Sequence, residues 1–150
     1  MATAIFAGSF DPFTIGHADI VERGLRIFDK VIIAIGYNEH KKGMVTAERR
    51  CATIAERYAK DDRINVITYQ GLTVDLVKRT GADAILRGAR SGSDFEFERN
   101  LADTNRAIAG VETVILVARP EYAFVSSSMV RELIHNGYDA ERFVAVKDYH

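Results

Sequence analysis

The stretch 8–17, with the sequence GSFDPFTIGH, has residue types and a spacing suited to binding an anion. An apolar run, Ala4 to Ala7, precedes it and an amphipathic run, Ala18 to Phe28, follows it, which predicts a buried strand, a tight turn and a helix start. The first turn of a helix attracts phosphate because its backbone N–H groups are unpaired and carry partial positive charge. His17 lies in this turn and could donate a hydrogen bond to a phosphate oxygen. A plainer interpretation, a turn capped by Asp11 with a histidine that only packs, does not account for the whole ten-residue pattern.

Further cations and hydroxyls follow other predicted strands: Lys41, Arg87, Arg90, Arg131, and Ser126 to Ser128 at a second helix start. All are hydrogen-bond donors or cations that suit negatively charged oxygens, so together they outline a polyphosphate site. Two alternatives stay open at this point. Lys41 and Lys42 could be a solvated pair in a loop, and the serines could act only as helix caps.

Several common nucleotide and hydrolase motifs are missing from the sequence. It has no Walker-type G-x-x-x-x-G-K-[ST], which disfavours P-loop hydrolysis, and no G-x-G-x-x-G after the first strand, which disfavours a dinucleotide-dependent oxidoreductase. It also has no Cys/His set with metal-ligand spacing and no serine in a nucleophile elbow. Phosphoryl or nucleotidyl transfer needs mainly alignment and charge stabilisation, which the available residues could supply.

The elements that must position these residues alternate between strands and helices. Strands are predicted at Ala4–Ala7, Val31–Ile35, Ile64–Tyr69, Ala82–Leu86 and Thr113–Val117. The pattern predicts an α/β fold: a Rossmann-like, doubly wound, five-stranded parallel sheet with helices on both faces, in a single domain over residues 1–150. Ligands of such sheets bind outside the carboxyl ends of the strands, so the polar segments should converge there.

Three local features of the second half are also predicted. Ser93 and Glu96 form a capping box for a helix that carries Phe97, Leu101, Thr104 and Ile108 on one face. The Arg87–Arg90 segment lies in the turn after the fourth strand. The tail, Tyr138 to His150, forms one more short helix.

Bulk composition narrows the class of protein. The chain has 150 residues and is 47% apolar, enough for a globular core, and its formal charge of −1 gives no general attraction to nucleic acid or to acidic membranes. No apolar run approaches the ~20 residues that span a bilayer. The single cysteine, Cys51, excludes an internal disulfide and fits a cytoplasmic protein.

The motifs resemble those of a known family. The stretch 8–17 is similar to the T/H-x-G-H signature of the nucleotidyltransferase superfamily. The later stretches Arg87–Arg90, Asp94–Glu98 and Phe124–Arg131 resemble one branch of it, the bacterial phosphopantetheine adenylyltransferases. The first motif alone would indicate only the superfamily, whereas the four motifs in order are specific and cover nearly the whole chain.

The resemblance implies a reaction and a set of partners. ATP and 4'-phosphopantetheine would give dephospho-coenzyme A and pyrophosphate, the penultimate step of coenzyme A biosynthesis, by direct in-line attack on the α-phosphorus. Mg²⁺ would accompany the triphosphate. The family also implies a homohexamer and coenzyme A as a feedback ligand.

The resemblance also implies site residues. His17 would stabilise the transition state, with Arg90 and Lys41 as the other catalytic residues. The ATP site would comprise Ser9, Phe10, His17, Gly88, Ala89, Arg90, Glu98, Tyr122, Ala123, Phe124, Val125, Ser126, Ser127 and Ser128. The phosphopantetheine site would comprise Ser9, Lys41, Thr73 and Arg87.

Two departures and two alternatives accompany the resemblance. Gly43 and Val45 replace the family's usual proline and aromatic residue after the lysine, which predicts a more mobile loop around Lys41. Tyr122 stands where a tryptophan is common and keeps a flat stacking surface. The alternative functions are a sister nucleotidyltransferase, such as one acting on nicotinate mononucleotide, and a nucleotide-binding module without turnover.

Overall fold

A computed structural model describes residues 1–41 and 43–149 of the chain. In chain order the elements are β1 (Thr3–Gly8), α1 (Ile15–Gly24), β2 (Lys30–Gly36), α2 (Ala47–Arg57), β3 (Ile64–Tyr69), α3 (Thr73–Thr80), β4 (Ala84–Ala89), α4 (Gly92–Ala109), β5 (Glu112–Val117) and α5 (Ser127–His135). Short 3₁₀ turns lie at Pro120–Tyr122 and Glu141–Phe143. Lys42 and His150, which belong to the predicted second loop and tail, lie outside the described residues.

The strands form one parallel sheet in the order β3-β2-β1-β4-β5, which confirms the predicted doubly wound α/β fold. β1 is central: a strand pairs with each of its edges, and helices cover both of its faces. Ala4 and Phe6 pack with residues of α1 and α2, whereas Ile5 and Ala7 pack with residues of α3 on the other face. This alternation follows from the two-residue period of a strand and explains the unbroken apolar run.

The sheet order creates a switch point beside β1. The chain winds outwards through β2 and β3, then returns to the other side of β1 for β4 and β5. The loops that leave β1 and β4 therefore diverge, and a crevice opens between them at the carboxyl ends of the strands. The polar stretches that follow β1 and β4 both border this crevice.

Several predicted boundaries are wrong. β4 continues through Ala89 because Arg87, Gly88 and Ala89 pair with β5, so these residues lie in a strand and not in the turn after it. α4 is capped by Ser91, whose hydroxyl accepts from the Asp94 N–H, and not by the predicted box of Ser93 and Glu96.

The apolar face predicted for α4 exists but is exposed in the single chain. Phe97 is 63% and Ile108 is 58% accessible, and Leu101 and Thr104 are also exposed. The four residues do lie on one face, as the spacing predicts, but spacing alone does not say what covers that face.

The tail is also different from the prediction. It forms the single 3₁₀ turn at Glu141–Phe143 and then an extended segment in which Val144 bridges to Thr14. The Ala145 N–H donates to the carbonyl oxygen of Phe13, so this segment supports the loop that follows β1. Among the described residues, no helix is both long and apolar enough to cross a membrane.

The central core gives a test of this packing. Leu86 is fully buried and packs closely against Gly24. A Cβ added at Gly24 would lie only 2.6 Å from Leu86 Cδ2. We expect Leu86→Ala to lower the free energy of unfolding by about 2–5 kcal/mol, since it removes buried methyl groups and leaves a cavity. Chemical denaturation measures this change. Ile27→Ala, at a position that is 55% accessible, should change it by less than about 0.5 kcal/mol. Equal losses in the two variants would contradict the assigned core.

Candidate active site

A cavity of about 390 Å³ opens at the carboxyl ends of β1 and β4, at the switch point of the sheet. We call it the central cavity. Most of the residues predicted for the ATP site line it: Ser9, Phe10, His17, Gly88, Ala89, Arg90, Glu98, Tyr122, Val125, Ser126, Ser127 and Ser128, together with Arg87 from the predicted acceptor site. The structure therefore brings together segments that are more than 100 residues apart in the chain.

His17 has a defined tautomer because of its place in α1. It is the third helical residue after the N-cap Thr14, and its Nδ1 accepts the Thr14 backbone N–H at 2.9 Å. A backbone N–H can only donate, so Nδ1 carries no proton and the proton of the neutral ring lies on Nε2. The rings of Phe10 and Phe13 pack against the imidazole at centroid distances of 5.0 and 5.5 Å. His17 is thus held as an Nε2–H donor at the cavity wall.

The surroundings of His17 keep it uncharged. Burial lowers the pKa of His17, and the positive charges of Arg90 and Arg87 lower it further, from 6.5 to about 3. A neutral imidazole at physiological pH can donate a hydrogen bond to an oxygen but cannot supply a full positive charge. The positive charge at the cavity comes instead from its arginines, Arg87, Arg90 and Arg131.

Phe10 lines the central cavity and belongs to the core. The residue is only 3% accessible, and its ring packs on Phe6 and Phe13. Its φ is +49°, in the left-handed region that non-glycine residues rarely adopt. The Phe10 ring also packs against His17, so this turn and the imidazole share one aromatic cluster.

Arg87 and Glu98 form a bidentate pair between the cavity and the sheet. Arg87 Nε and Nη2 each donate to a Glu98 carboxylate oxygen at 2.7 Å, and Nη1 donates to the Ala7 carbonyl at 2.6 Å. Glu98 is 7% accessible, so it is a buried carboxylate and not a surface charge. The pair fixes the guanidinium plane and leaves Nη1 and Nη2 with one N–H each for a further acceptor.

Arg90 is a more exposed cation at the same cavity. Its side chain is 42% accessible, and its Nε lies 3.3 Å from an Asp94 carboxylate oxygen. The Arg90 backbone N–H also donates to Asp94, which holds the end of β4 against the start of α4. Screening by solvent makes this ion pair weak, so Arg90 can exchange Asp94 for another anion.

Three serines lie at the start of α5 and line the central cavity. The Ser126 hydroxyl caps α5 by accepting the Met129 N–H, and the Ser127 hydroxyl donates to the Pro12 carbonyl at 2.8 Å. The Ser128 hydroxyl lies 3.3 Å from Arg131 Nη2. The hydroxyls therefore secure the helix start, and the first N–H groups of α5 point to the cavity end of the helix, where such groups favour an anion.

Two predicted residues lie in flanking cavities. Thr73 lines a cavity of about 150 Å³, the side cavity, which shares Arg87 and Glu98 with the central one. Lys41 lines an open cavity, the loop cavity, which shares Ser9 and Arg131 with the central one. Because of these shared walls, the three cavities are adjacent along the carboxyl edge of the sheet.

Ala123 and Phe124 stand apart from the other predicted ATP residues. Neither is among the described residues that wall the central cavity. Phe124 is 61% accessible, and its ring packs edge-on against Phe143 at 5.6 Å. The continuous segment that the motif suggested thus contributes Tyr122 on one side of this pair and Val125 to Ser128 on the other.

The motifs gave no site role to Arg50 and only a general one to Arg131. Arg50 is 7% accessible and donates to the carbonyls of Val45 and Ser9. Arg131 donates to the Asp11 carbonyl at 2.8 Å and lines both the central and the loop cavities. A helical arginine next to apolar residues looks like a surface charge in the sequence, so only the fold shows that these two hold loops.

The side chains at the central cavity suit a metal ion that is bound mainly by phosphate oxygens of a ligand. No group of three His, Cys, Asp or Glu side chains that could hold a metal ion occurs within residues 1–41 and 43–149. The two carboxylates at the cavity, Glu98 and Asp94, are paired with arginines. Phosphate oxygens and water are ordinary ligands of Mg²⁺, so such an ion needs few protein ligands.

The sheet order and a cationic cavity at its switch point define an α/β nucleotide-binding protein. A family model described as cytidylyltransferase-like matches residues 5–133. A phosphopantetheine adenylyltransferase from Porphyromonas gingivalis is 62% identical over 141 residues, 94% of this chain and 92% of the relative. One from Flavobacterium psychrophilum is 50% identical over 139 residues, 93% of this chain and 92% of the relative. The chain belongs to the phosphopantetheine adenylyltransferase family.

A solved structure has the same fold at low sequence identity. It is a bifunctional NMN adenylyltransferase/ADP ribose pyrophosphatase from Francisella tularensis complexed with AMP and a Mn ion, with a TM-score of 0.71 and 16% identity. The match covers 98% of this chain but only 45% of that one, so this chain spans less than half of the bifunctional protein. This likeness confirms the Rossmann-like fold.

The environment of His17 predicts its behaviour with pH. We expect the His17 imidazole of the ligand-free protein to show no NMR titration between pH 5 and 8, because its pKa lies near 3. The folded pKa is below the unfolded value of 6.5, so the stability that neutral His17 contributes is complete above pH 6.5. It decreases as the pH falls from there towards 3.

A variant separates this effect from that of other groups. Between pH 6.5 and 4, the free energy of unfolding of the wild type should fall more steeply than that of His17→Asn, whose side chain does not titrate. The spectrum of the variant also assigns the His17 signal. A midpoint near 6.5 for His17, or equal slopes for the two proteins, would contradict the described environment.

Proposed function

We propose that this protein transfers the adenylyl group of ATP to 4'-phosphopantetheine. An acceptor phosphate oxygen attacks the α-phosphorus in line, a new P–O bond forms, and the bond to the bridging oxygen breaks to release pyrophosphate. The attacking phosphate is already anionic, so no general base and no covalent enzyme intermediate are needed. The products are dephospho-coenzyme A and pyrophosphate. This reaction is the penultimate step of coenzyme A biosynthesis. The observation that carries the proposal is the convergence of His17, Arg87, Arg90 and the start of α5 on one cavity.

In this proposal the nucleotide occupies the central cavity. The Nε2–H of His17 donates to ATP phosphate and stabilises the charge that develops in the transition state. Arg90 supplies positive charge there, and the N–H groups at the start of α5 bind further phosphate oxygens. Gly88 and Ala89 border the nucleoside, and Tyr122 and Val125 close that side. Glu98 has lone pairs beyond its bonds to Arg87, so it can accept from a ribose hydroxyl.

The acceptor occupies the boundary between the cavities. Arg87 and Lys41 bind its phosphate, which places the attacking oxygen beside the nucleotide, and Ser9 lies at the junction of the two substrates. The pantetheine arm runs along the side cavity past Thr73, which opens α3 without a side-chain cap. The Thr73 hydroxyl is already within 3.0 Å of the Tyr69 hydroxyl, so its backbone is the group that meets the arm.

We assign Mg²⁺ as the metal and regard it as part of the Mg–ATP substrate. When bound, it neutralises triphosphate charge. The protein's own residues orient the phosphates from the other side through the Nε2–H of His17 and the guanidinium of Arg90.

The assembly, feedback ligand and location also belong to this proposal. We assign a homohexamer, and the exposed apolar face of α4 supports an assembly. Light scattering should then give a mass six times that of the 16.7 kDa chain. Coenzyme A contains both substrate halves and could therefore compete at the combined site. We place the enzyme in the cytoplasm, where both substrates are available, without nucleic acid or membrane partners.

The first experiment measures pyrophosphate release with ATP, Mg²⁺ and phosphopantetheine, and in parallel with nicotinate mononucleotide. We expect release only with phosphopantetheine. His17→Ala should lower turnover by about 10²–10³-fold with little change in ATP affinity, because the lost donor acts mainly in the transition state.

The other outcomes discriminate the alternatives. Release only with nicotinate mononucleotide would replace the acceptor but keep the reaction class. ATP binding without release in either well would indicate a regulatory nucleotide-binding module. Full activity of His17→Ala would refute the role of His17.

The assignment of Arg87 to the acceptor makes a second prediction. Arg87→Lys keeps a cation beside the buried Glu98 but loses the two-pronged guanidinium. We expect the KM for phosphopantetheine to rise several-fold and the KM for ATP to change by less than about twofold. Arg63→Lys is a matched control, because Arg63 also pairs bidentately with a carboxylate, that of Asp61, but lies at the start of β3. A larger change in the KM for ATP would reverse the placement of the two substrates.

A further inference from the structure

Asp11 connects the loop after β1 to the loop after β2. Asp11 is 6% accessible, and its two carboxylate oxygens accept the backbone N–H groups of Met44 at 2.7 Å and Val45 at 3.1 Å. These residues are more than 30 positions away from Asp11 in the chain. Asp11 therefore does not cap α1, which begins behind Thr14. It holds a second loop, the one that carries Lys41.

Gly43 makes this approach possible. A Cβ added at Gly43 would lie 2.6 Å from the Asp11 Oδ2 and 3.2 Å from the Val45 carbonyl oxygen. Such a distance is too short for a real side chain, so any larger residue must displace either the loop or the carboxylate. Gly43 therefore lets this loop pack directly on Asp11.

Two arginines also bond to the loops that Asp11 connects. Arg50, in α2, donates to the carbonyls of both Ser9 and Val45, and so contacts both loops. Arg131, in α5, donates to the Asp11 carbonyl. Asp11, Gly43, Arg50 and Arg131 all line the loop cavity, and so does Lys41.

We infer that Asp11, with Gly43 packed against it, is a positioning residue that sets the place of Lys41 relative to the nucleotide loop. The inference rests on the proposed function, in which Lys41 binds the acceptor phosphate and the 9–17 stretch binds ATP. Because the Asp11 carboxylate and Arg50 both join the two loops, the distance between the attacking phosphate and the α-phosphorus depends on this connection. Precise alignment of the two reactants is the main requirement of this transfer.

Asp11→Asn tests the inference in the full-length protein. The amide keeps one acceptor oxygen but turns its NH₂ towards a backbone N–H, so one of the two bonds to the Lys41 loop is lost. We expect the KM for phosphopantetheine to rise about fivefold or more and kcat to fall. The KM for ATP should stay within about twofold.

Asp83→Asn is the matched control. Asp83 also accepts a backbone N–H from a distant residue, that of Thr3 at 2.8 Å, but at the amino end of the sheet. A merely structural loss would lower stability in both variants without separating the two KM values. Hydrogen exchange gives a readout independent of activity. The Met44 and Val45 amides should exchange faster than in the wild type in Asp11→Asn, and at the wild-type rate in Asp83→Asn.

Gly43→Ala supplies the second variant. It should raise the KM for phosphopantetheine in the same way, and the double variant should be less impaired than the product of the two single effects, because both changes disrupt one contact. An unchanged KM for phosphopantetheine in Asp11→Asn, or equal increases in both KM values, would overturn the inference. An inactive wild type would instead refute the proposed function.

Discussion

The hydrogen bond from the Thr14 N–H to Nδ1 of His17 connects local helix formation to the chemistry of the cavity. The same bond satisfies an N–H at the start of α1, orients the imidazole and selects the tautomer with a proton on Nε2. Aromatic rings on two sides and two nearby arginines then keep that ring neutral. Without this bond, the ring could rotate or exchange tautomers, and the donor at the cavity would not be defined. The position of His17 as the third helical residue is therefore a requirement of both the fold and the proposed reaction.

The central strand places this bond where the other parts of the site can reach it. β1 pairs on both edges, so its carboxyl end lies beside those of β2 and β4. The loop after β2 carries Lys41, and the end of β4 carries Arg87 and Arg90. The tail reinforces the arrangement from outside, because Val144 and Ala145 bond to Thr14 and Phe13. Residues from the two ends of the chain thus fix one short loop.

The sequence predicts the sheet and most of the central cavity because their signals are local. An unbroken β-branched run such as Val31–Ile35 indicates a buried strand, and polar residues after such strands must meet at one edge. The cap of α4, the end of β4 and the shape of the tail depend instead on tertiary contacts. Arg87 stays in β4 because β5 continues beside it. Asp11 could not be assigned to Met44 and Val45 from the sequence, since both partners are backbone groups and leave no trace in residue identity.

The start of α5 has a consequence for how this site can change during evolution. Its serine hydroxyls bond to Met129, Pro12 and Arg131 and so secure the helix start. The N–H groups of the first turn are a further set of anion donors, and any residue except proline supplies such an amide. Drift at these serines therefore alters how firmly the helix is seated, while the chemical character of the anion contact persists. An inhibitor that binds these amides would contact a surface that few single substitutions can remove, whereas one that relies on the Lys41 loop would contact a surface that they can readily reshape.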